Sequence, residues 1–377
     1  MEYISPAAIV KQGDLVLYAT SFRVADLMQP GFYSIDQLDP DESSSGYQRI
    51  LDSRRTKRIS TYFLKAWEDG DAFLPTSILL ATKKPIKYDS RKNQIIFNIN
   101  NVGPFNVVDG QHRIKGLVSA AKQNPAMKEF EIATNIAVNV DEVSQMCHFL
   151  IVNTTQKSVD KGVEQNILAR LTSMVNFNTI PSLPKWIQRQ VDRGEDQQAL
   201  SIVRYLNHLP HSAWFQKIEM ANQSEHIDRT TIRQKSFVHS LKKFILSSNN
   251  PLMHSEDSEM RNKILCNYWV ALKNLLVEGE DKNSVLFKTA GINLFHMVSP
   301  TVFSQLFNFK DFRVETIMSL LTQAFSKLDA ENLILSDKSF WLRGAGASSL
   351  SMTGTRKFAV AINQAIMSLD QDQGFQV

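Results

Sequence analysis

Cysteine is nearly absent: the 377 residues hold two, Cys147 and Cys266, far apart in the chain. Two distant thiols exclude a disulfide scaffold and a cysteine-rich zinc site, and they fit a reducing cytoplasm. Neither sits in a recognisable catalytic context. No apolar run reaches the roughly 20 residues of a membrane-spanning helix. The N-terminus lacks the basic-then-apolar signature of a signal peptide. No Gly-x-Ser-x-Gly elbow occurs. The Gly-rich stretch Trp341–Ser349 is not followed by Gly-Lys-Ser/Thr, so it reads as a packing loop rather than a Walker loop. His208, His211, His226 and His239 are scattered without metal-ligand spacing, and no residue set is assigned to a metal. Excess charge is also small. A formal net charge of +4 permits nucleic-acid binding without arguing for it.

What is present is a chain long enough for two domains, 43% hydrophobic and 21% charged, which supports proper cores. The first part alternates strand and helix patterns. Asp14–Ala19 reads as a strand. Ser43-Ser44-Ser45-Gly46 is a break, and a helix then runs to about Trp67 with Ile59, Tyr62, Phe63 and Ala66 on one face. Ile78–Leu80 reads as a buried strand. Ile95–Ile99 and Phe105–Val108 read as a strand pair around an Asn-Asn-Val-Gly-Pro turn. Glu131–Val140 reads as a further strand, and Asp141 as the cap of a following helix. Beyond Pro181-Ser182-Leu183-Pro184 long helical patterns dominate, at Thr231–Leu246, Asn262–Val277, Asp311–Leu328 and Lys357–Leu369. The tail from Asp370 reads as frayed. The expected fold is therefore α+β, with an α/β domain over 1–180 and a mainly helical domain over 181–377.

The densest chemistry lies at Asp109-Gly110-Gln111-His112-Arg113. A short buried strand ends there, Gly110 permits a sharp turn, and Gln111 opens a helix with Ile114, Leu117, Val118 and Ala121 on one face. Such a turn aims backbone N–H groups and the positive end of the helix dipole at whatever docks. Arg113 adds a planar fork suited to phosphate. Asp109 or His112 can move a proton or hold a metal. The polar run Asn153-Thr154-Thr155-Gln156-Lys157 is a candidate second ligand loop. Two basic stretches are candidate phosphate contacts. One is Arg54, Lys57 and Arg58, with Gln48 and Arg49 before them and Arg55 nearer the apolar edge. The other is Arg229 to Ser236, with Arg229 and Arg233.

At Asp109–Arg113 the chain resembles the DGQHR-domain family, related to the ParB/sulfiredoxin-like fold. Gln48-Arg49 before a basic helix, Leu74-Pro75-Thr76-Ser77-Ile78 leading into a strand, and Asn153–Lys157 after the motif extend the likeness over about residues 45–160. Length and the helical second half make the chain look like the DndB regulators of bacterial DNA phosphorothioation. The resemblance implies a cytoplasmic, DNA-binding negative regulator of the DNA sulfur modification genes. Its implied partners are double-stranded DNA and other DNA sulfur modification proteins, with a homo-oligomer left open. The alternative it implies is an NTPase or DNA-nicking enzyme, with Asp109, Gln111, His112 and Arg113 catalytic and a nucleotide with Mg²⁺ as cofactor. Gly110, Arg113, Asn153, Thr154, Gln156 and Lys157 would then hold phosphate. Gln48, Arg49, Arg54, Lys57, Arg58, Arg229 and Arg233 would contact DNA. Sulfiredoxins carry a reactive cysteine at this turn; this chain has none, which argues against thiol chemistry there.

Overall fold

The computed structural model describes residues 2–13, 15–39, 46–156, 160–174, 184–223, 227–279, 281–331, 333–342, 344 and 350–371. The expected break at Ser43–Ser45, the Pro181–Leu183 stretch, Lys157, His226, most of the Gly-rich loop and the end of the tail lie outside the described residues. The chain forms two compact units, Met1–Asp192 and Arg193–Val377. The architecture is mixed α+β, with a curled sheet in the first unit and helices in the second.

In the first unit the elements run β1 (Glu2–Gln12), β2 (Leu15–Arg23), α1 (Val24–Leu27), β3 (Tyr33–Ser34), α2 (Ser53–Glu68), β4 (Ile78–Ala81), β5 (Lys87–Asp89) and β6 (Gln94–Asn98). They continue with α3 (Ile99–Val102), β7 (Phe105–Asp109), α4 (Gln111–Gln123), β8 (Glu131–Ala137), α5 (Glu142–Gln156), α6 (Lys161–Met174) and α7 (Lys185–Arg193). The eight strands form one sheet in the order β3-β7-β4-β8-β2-β1-β6-β5. β1 divides its pairing: Glu2–Pro6 run antiparallel to β6, and Ala7–Gln12 run antiparallel to β2. That division lets one sheet curl around a shared core. Tyr3, Phe22, Phe32, Phe97 and Phe105 meet there, with neighbouring ring centroids 5.1–6.1 Å apart. Offset and edge-on contacts of this kind add to the burial of the rings.

α2 and α4 lie against each other beside the sheet. Gly116 permits the approach, because a Cβ there would stand 2.5 Å from Ile59 Cγ2. Phe63 and Ala66 are buried and Ile59 half-buried, while Arg54, Arg55, Lys57, Arg58 and Lys65 are exposed, as the amphipathic reading of α2 expects; Tyr62, expected on the apolar face, is instead exposed. Asp141 accepts the Ser144 N–H at 2.8 Å, as a helix cap should.

Two expectations are corrected. β6 and β7 are not a pair: β6 lies between β1 and β5, and β7 between β3 and β4. The one-turn α3 and the bend at Gly103-Pro104 carry the chain between them, so the Asn-Asn-Val-Gly-Pro segment closes no hairpin. The polar run from Asn153 is not a loop either. Through Gln156 it is the last turn of α5.

The second unit holds α8 (Glu195–His208), α9 (Gln234–Ser240), α10 (Ser258–Leu276), α11 (Thr289–Phe309), α12 (Val314–Ala330) and α13 (Met352–Gln371). Two short parallel strands, β9 (Ile218–Glu219) and β10 (Ile232–Arg233), precede α9. The core is aromatic: Trp214 stacks edge-on against Phe237, Trp269 and Phe287 at 4.8–4.9 Å. α11, the most apolar of these helices, is buried on most sides.

Candidate functional site

Gly110 sits between β7 and α4 with φ 100° and ψ 11°, a left-handed conformation that favours glycine. Its carbonyl accepts the Ile114 N–H at 3.0 Å and so opens α4. Space forbids a side chain as well, since a Cβ would lie 2.6 Å from Ile78 Cγ2. The first-turn N–H groups of Gln111, His112 and Arg113 have no partner within the helix.

Around this turn is a narrow cleft of about 30 Å³ lined by Gln48, Arg49, Arg55, residues Asp109 to Arg113, Phe149 and Asn153. Residues from four places in the sequence thus converge. The cleft has room for about one water or one phosphate oxygen, and not for a nucleotide.

The motif side chains divide into those that hold the site together and those left free. Arg113 is committed: one Nη bonds Asp109 Oδ2 at 2.5 Å and the other donates to the Ser77 carbonyl. His112 is buried, and its Nε2 accepts the Asp52 N–H at 3.0 Å. Burial pushes its pKa down to about 4, with Arg55 and Arg49 pushing the same way, so the ring is neutral at pH 7 and fastens the start of α2. Gln48 is buried too, and its Nε2 donates to the carbonyls of Val107 at 2.6 Å and Val108 at 2.8 Å. It ties the Tyr47–Arg49 segment to β7 and presents nothing to a DNA surface. Gln111 donates Nε2 to the Arg49 carbonyl at 3.2 Å. Its Oε1 is buried and unbonded.

Arg49 and Arg55 are the cleft cations that form no ion pair among the described residues. Arg49 is half-buried, and its guanidinium has no ion pair or hydrogen bond among the described residues. Burial and the neighbouring Arg55 charge both lower its pKa, while Asp109 and Asp52 raise it. The Asp52 carboxylate is held below its ordinary range by the Arg55 N–H, then the Arg54 N–H, which it caps. Arg55 lies in the basic stretch Arg54–Arg58 but was left out of the expected DNA contacts, because its helical angle falls near the apolar edge of α2. The structure turns it outward to the cleft mouth. Phe149 was also missed; nothing marks an apolar α5 residue as a cleft wall.

Arg54, Lys57 and Arg58 continue this surface along α2. None forms an ion pair among the described residues. Asn153 lines the cleft, yet its Nδ2 donates to the Phe149 carbonyl at 2.8 Å within α5. The side chains of Thr154 and Gln156, like Lys157, lie outside the description. Arg229 and Arg233 belong to the second unit. Arg229 is exposed in the loop before β10, and Arg233 pairs with Glu219 at 3.5 Å. Gln234, in the same stretch, opens α9, is buried and accepts the Ala221 N–H at 2.9 Å. Among the described residues, no group of three His, Cys, Asp or Glu could hold a metal ion.

The model of the DndB family, described as DNA-sulfur modification-associated, matches residues 5–286. The chain belongs to the DndB family. The matched span takes in the cleft, the α2 surface and the first half of the helical unit, and it ties this DndB-family chain to DNA sulfur modification. No curated protein and no solved structure matches it. Among the described residues no helix is long and apolar enough to cross a membrane.

Proposed function

We propose that this DndB-family chain binds duplex DNA through the exposed face of α2 and the adjoining cleft, and that it thereby represses the DNA phosphorothioation genes. The observation that carries the reading is the run of guanidinium and ammonium groups at Arg49, Arg54, Arg55, Lys57 and Arg58, none of them in a direct ion pair among the described residues and with only Asp52 and Asp109 acting on them from nearby. A half-buried Arg49 pressed by Arg55 is unfavourable in isolation and favourable once an anion arrives. A DNA phosphate at the cleft mouth would meet both guanidiniums and the first-turn N–H groups of α4. One cleft water, donating to Gln111 Oε1, would complete the inner shell. Asp109, His112 and Arg113 act as positioning residues, since their bonds go to the protein itself.

The alternative, NTP hydrolysis or nicking at the same turn, draws less support. The enclosed part of the cleft is too small for a whole nucleotide, which could reach it only by its phosphates, and the His112 Nε2 lone pair is already used. The test is a gel-shift titration against DNA from upstream of the sulfur modification genes, with a scrambled duplex alongside. Selective binding supports repression. Equal weak binding to both duplexes removes it.

A further inference from the structure

A concavity wider than the cleft lies away from the DGQHR turn. It lies within the helical unit, where about 900 Å³ opens between the Pro210–Lys217 loop, Arg229, the carboxyl end of α10 and Lys282. Small-ligand sites run from about 300 to 1,000 Å³. A duplex is far too broad to enter such a hollow, whereas a mononucleotide fits within it.

The lining has three chemistries. Arg229 and Lys282 are exposed cations with no ion pair among the described residues. Phe215 and Val277 are half-buried and give the wall an apolar part, one face of it aromatic. Lys273, Asn274 and Val277 mark the end of α10: the Lys273 carbonyl accepts the Val277 N–H at 3.0 Å, and the carbonyls from Asn274 onward have no later helical N–H to accept. Lys217 contributes its stem, since its ammonium donates to the Ala213 carbonyl and lies 4.5 Å from the Phe287 ring centroid.

Cations alone would suit any anion. Free helix-end carbonyls do not: they repel a bare anion and accept from hydroxyl or amine donors. An aromatic wall adds a stacking face for a flat group. We propose that this cavity binds a nucleoside polyphosphate, with phosphates toward Arg229 and Lys282 and the nucleoside against Phe215 and the α10 end. The site lies in the other unit from the DNA-contact reading and stands or falls separately from it.

The test is calorimetric titration of the full chain with ATP and, separately, inorganic tripolyphosphate. Wild type binds ATP more tightly than tripolyphosphate. Arg229→Ala with Lys282→Ala weakens ATP binding by about ten-fold or more, the scale of a lost charge-assisted contact, while the thermal midpoint stays put because both residues are exposed. Arg49→Ala with Arg55→Ala leaves ATP binding unchanged. The proposal is overturned if wild type gives no ATP binding up to millimolar, if the Arg229/Lys282 variant binds ATP normally, or if ATP binding is lost only with Arg49 and Arg55. Loss of duplex binding in the Arg229/Lys282 variant, with no ATP binding by wild type, would make the face a DNA contact and overturn it equally.

Discussion

Arg113→Ala separates a positioning arginine from a ligand-binding one. Arg113 and Asp109 are 18% and 29% exposed at the side chain, so their ion pair is partly shielded from water. A charge-assisted hydrogen bond contributes about 1.5–3 kcal/mol when buried, and solvent at this exposure lowers that to roughly 1–2 kcal/mol. The Ser77 carbonyl also loses its donor, which costs about 1 kcal/mol more. The sum of about 2–3 kcal/mol lowers the thermal midpoint by about 4–12 °C for a unit of this size. Thermal melts of the full chain with Arg113→Ala, Asp109→Asn and the double variant check it. The double variant should cost about 1 kcal/mol less than the two singles added, because the groups share one contact. An unchanged midpoint together with lost DNA affinity would refute the reasoning and make Arg113 a phosphate ligand.

Gly110→Val should unfold or severely destabilise the first unit, because φ 100° and the 2.6 Å approach to Ile78 leave no room for a branched side chain; a folded variant with a wild-type melt would contradict this. His112 has a folded pKa lowered to about 4 against an ordinary 6.5, so the unfolded chain binds more protons between these values. Stability from this group is therefore full above pH 6.5 and is lost as pH falls toward 4. His112→Ala should melt lower at pH 7 and show a flatter midpoint-versus-pH profile from 7 to 5; a parallel profile would exclude His112 as a source of the slope. Burial pushes the Cys147 thiol up to about 12 and raises Cys266 as well. Both should resist a disulfide reagent at pH 7.5 until the chain is denatured, and rapid native-state labelling would contradict their burial.

The turn and its flanking elements were legible because local signals agreed. An apolar strand, one glycine and a helix-period stripe mark β7, Gly110 and α4 without help from distant contacts. α2 was legible for the same reason. β1 was not, because it carries Pro6 and alternates poorly, and its two halves serve different partners. α11 was missed because a helix buried on most sides shows no polar face, and Pro300 lies inside it. The β6–β7 pairing failed because nearness in sequence does not set strand order once a helical turn intervenes. The roles within the site were hidden for a further reason. Gln48, His112 and Arg113 have the chemistry of ligand-binding residues, and only tertiary hydrogen bonds reveal that they fasten backbone. Arg55 is the converse: its helical angle falls nearer the apolar edge of α2, and the structure gives it to the cleft. Membership in the DndB family, resembled in the sequence, is shown by the match over residues 5–286.

The central claim is that the α2 face meets DNA phosphates. Fluorescence anisotropy of a duplex from upstream of the sulfur modification genes, titrated with the chain from 50 to 200 mM salt, measures this directly. Each phosphate contact contributes about 0.9 to the slope of log affinity against log salt. Arg54→Ala, Lys57→Ala and Arg58→Ala together should flatten the slope by about 2.7 and weaken binding at every salt concentration, with the melt unchanged. A triple variant with wild-type affinity and slope would contradict the account and move the DNA surface elsewhere.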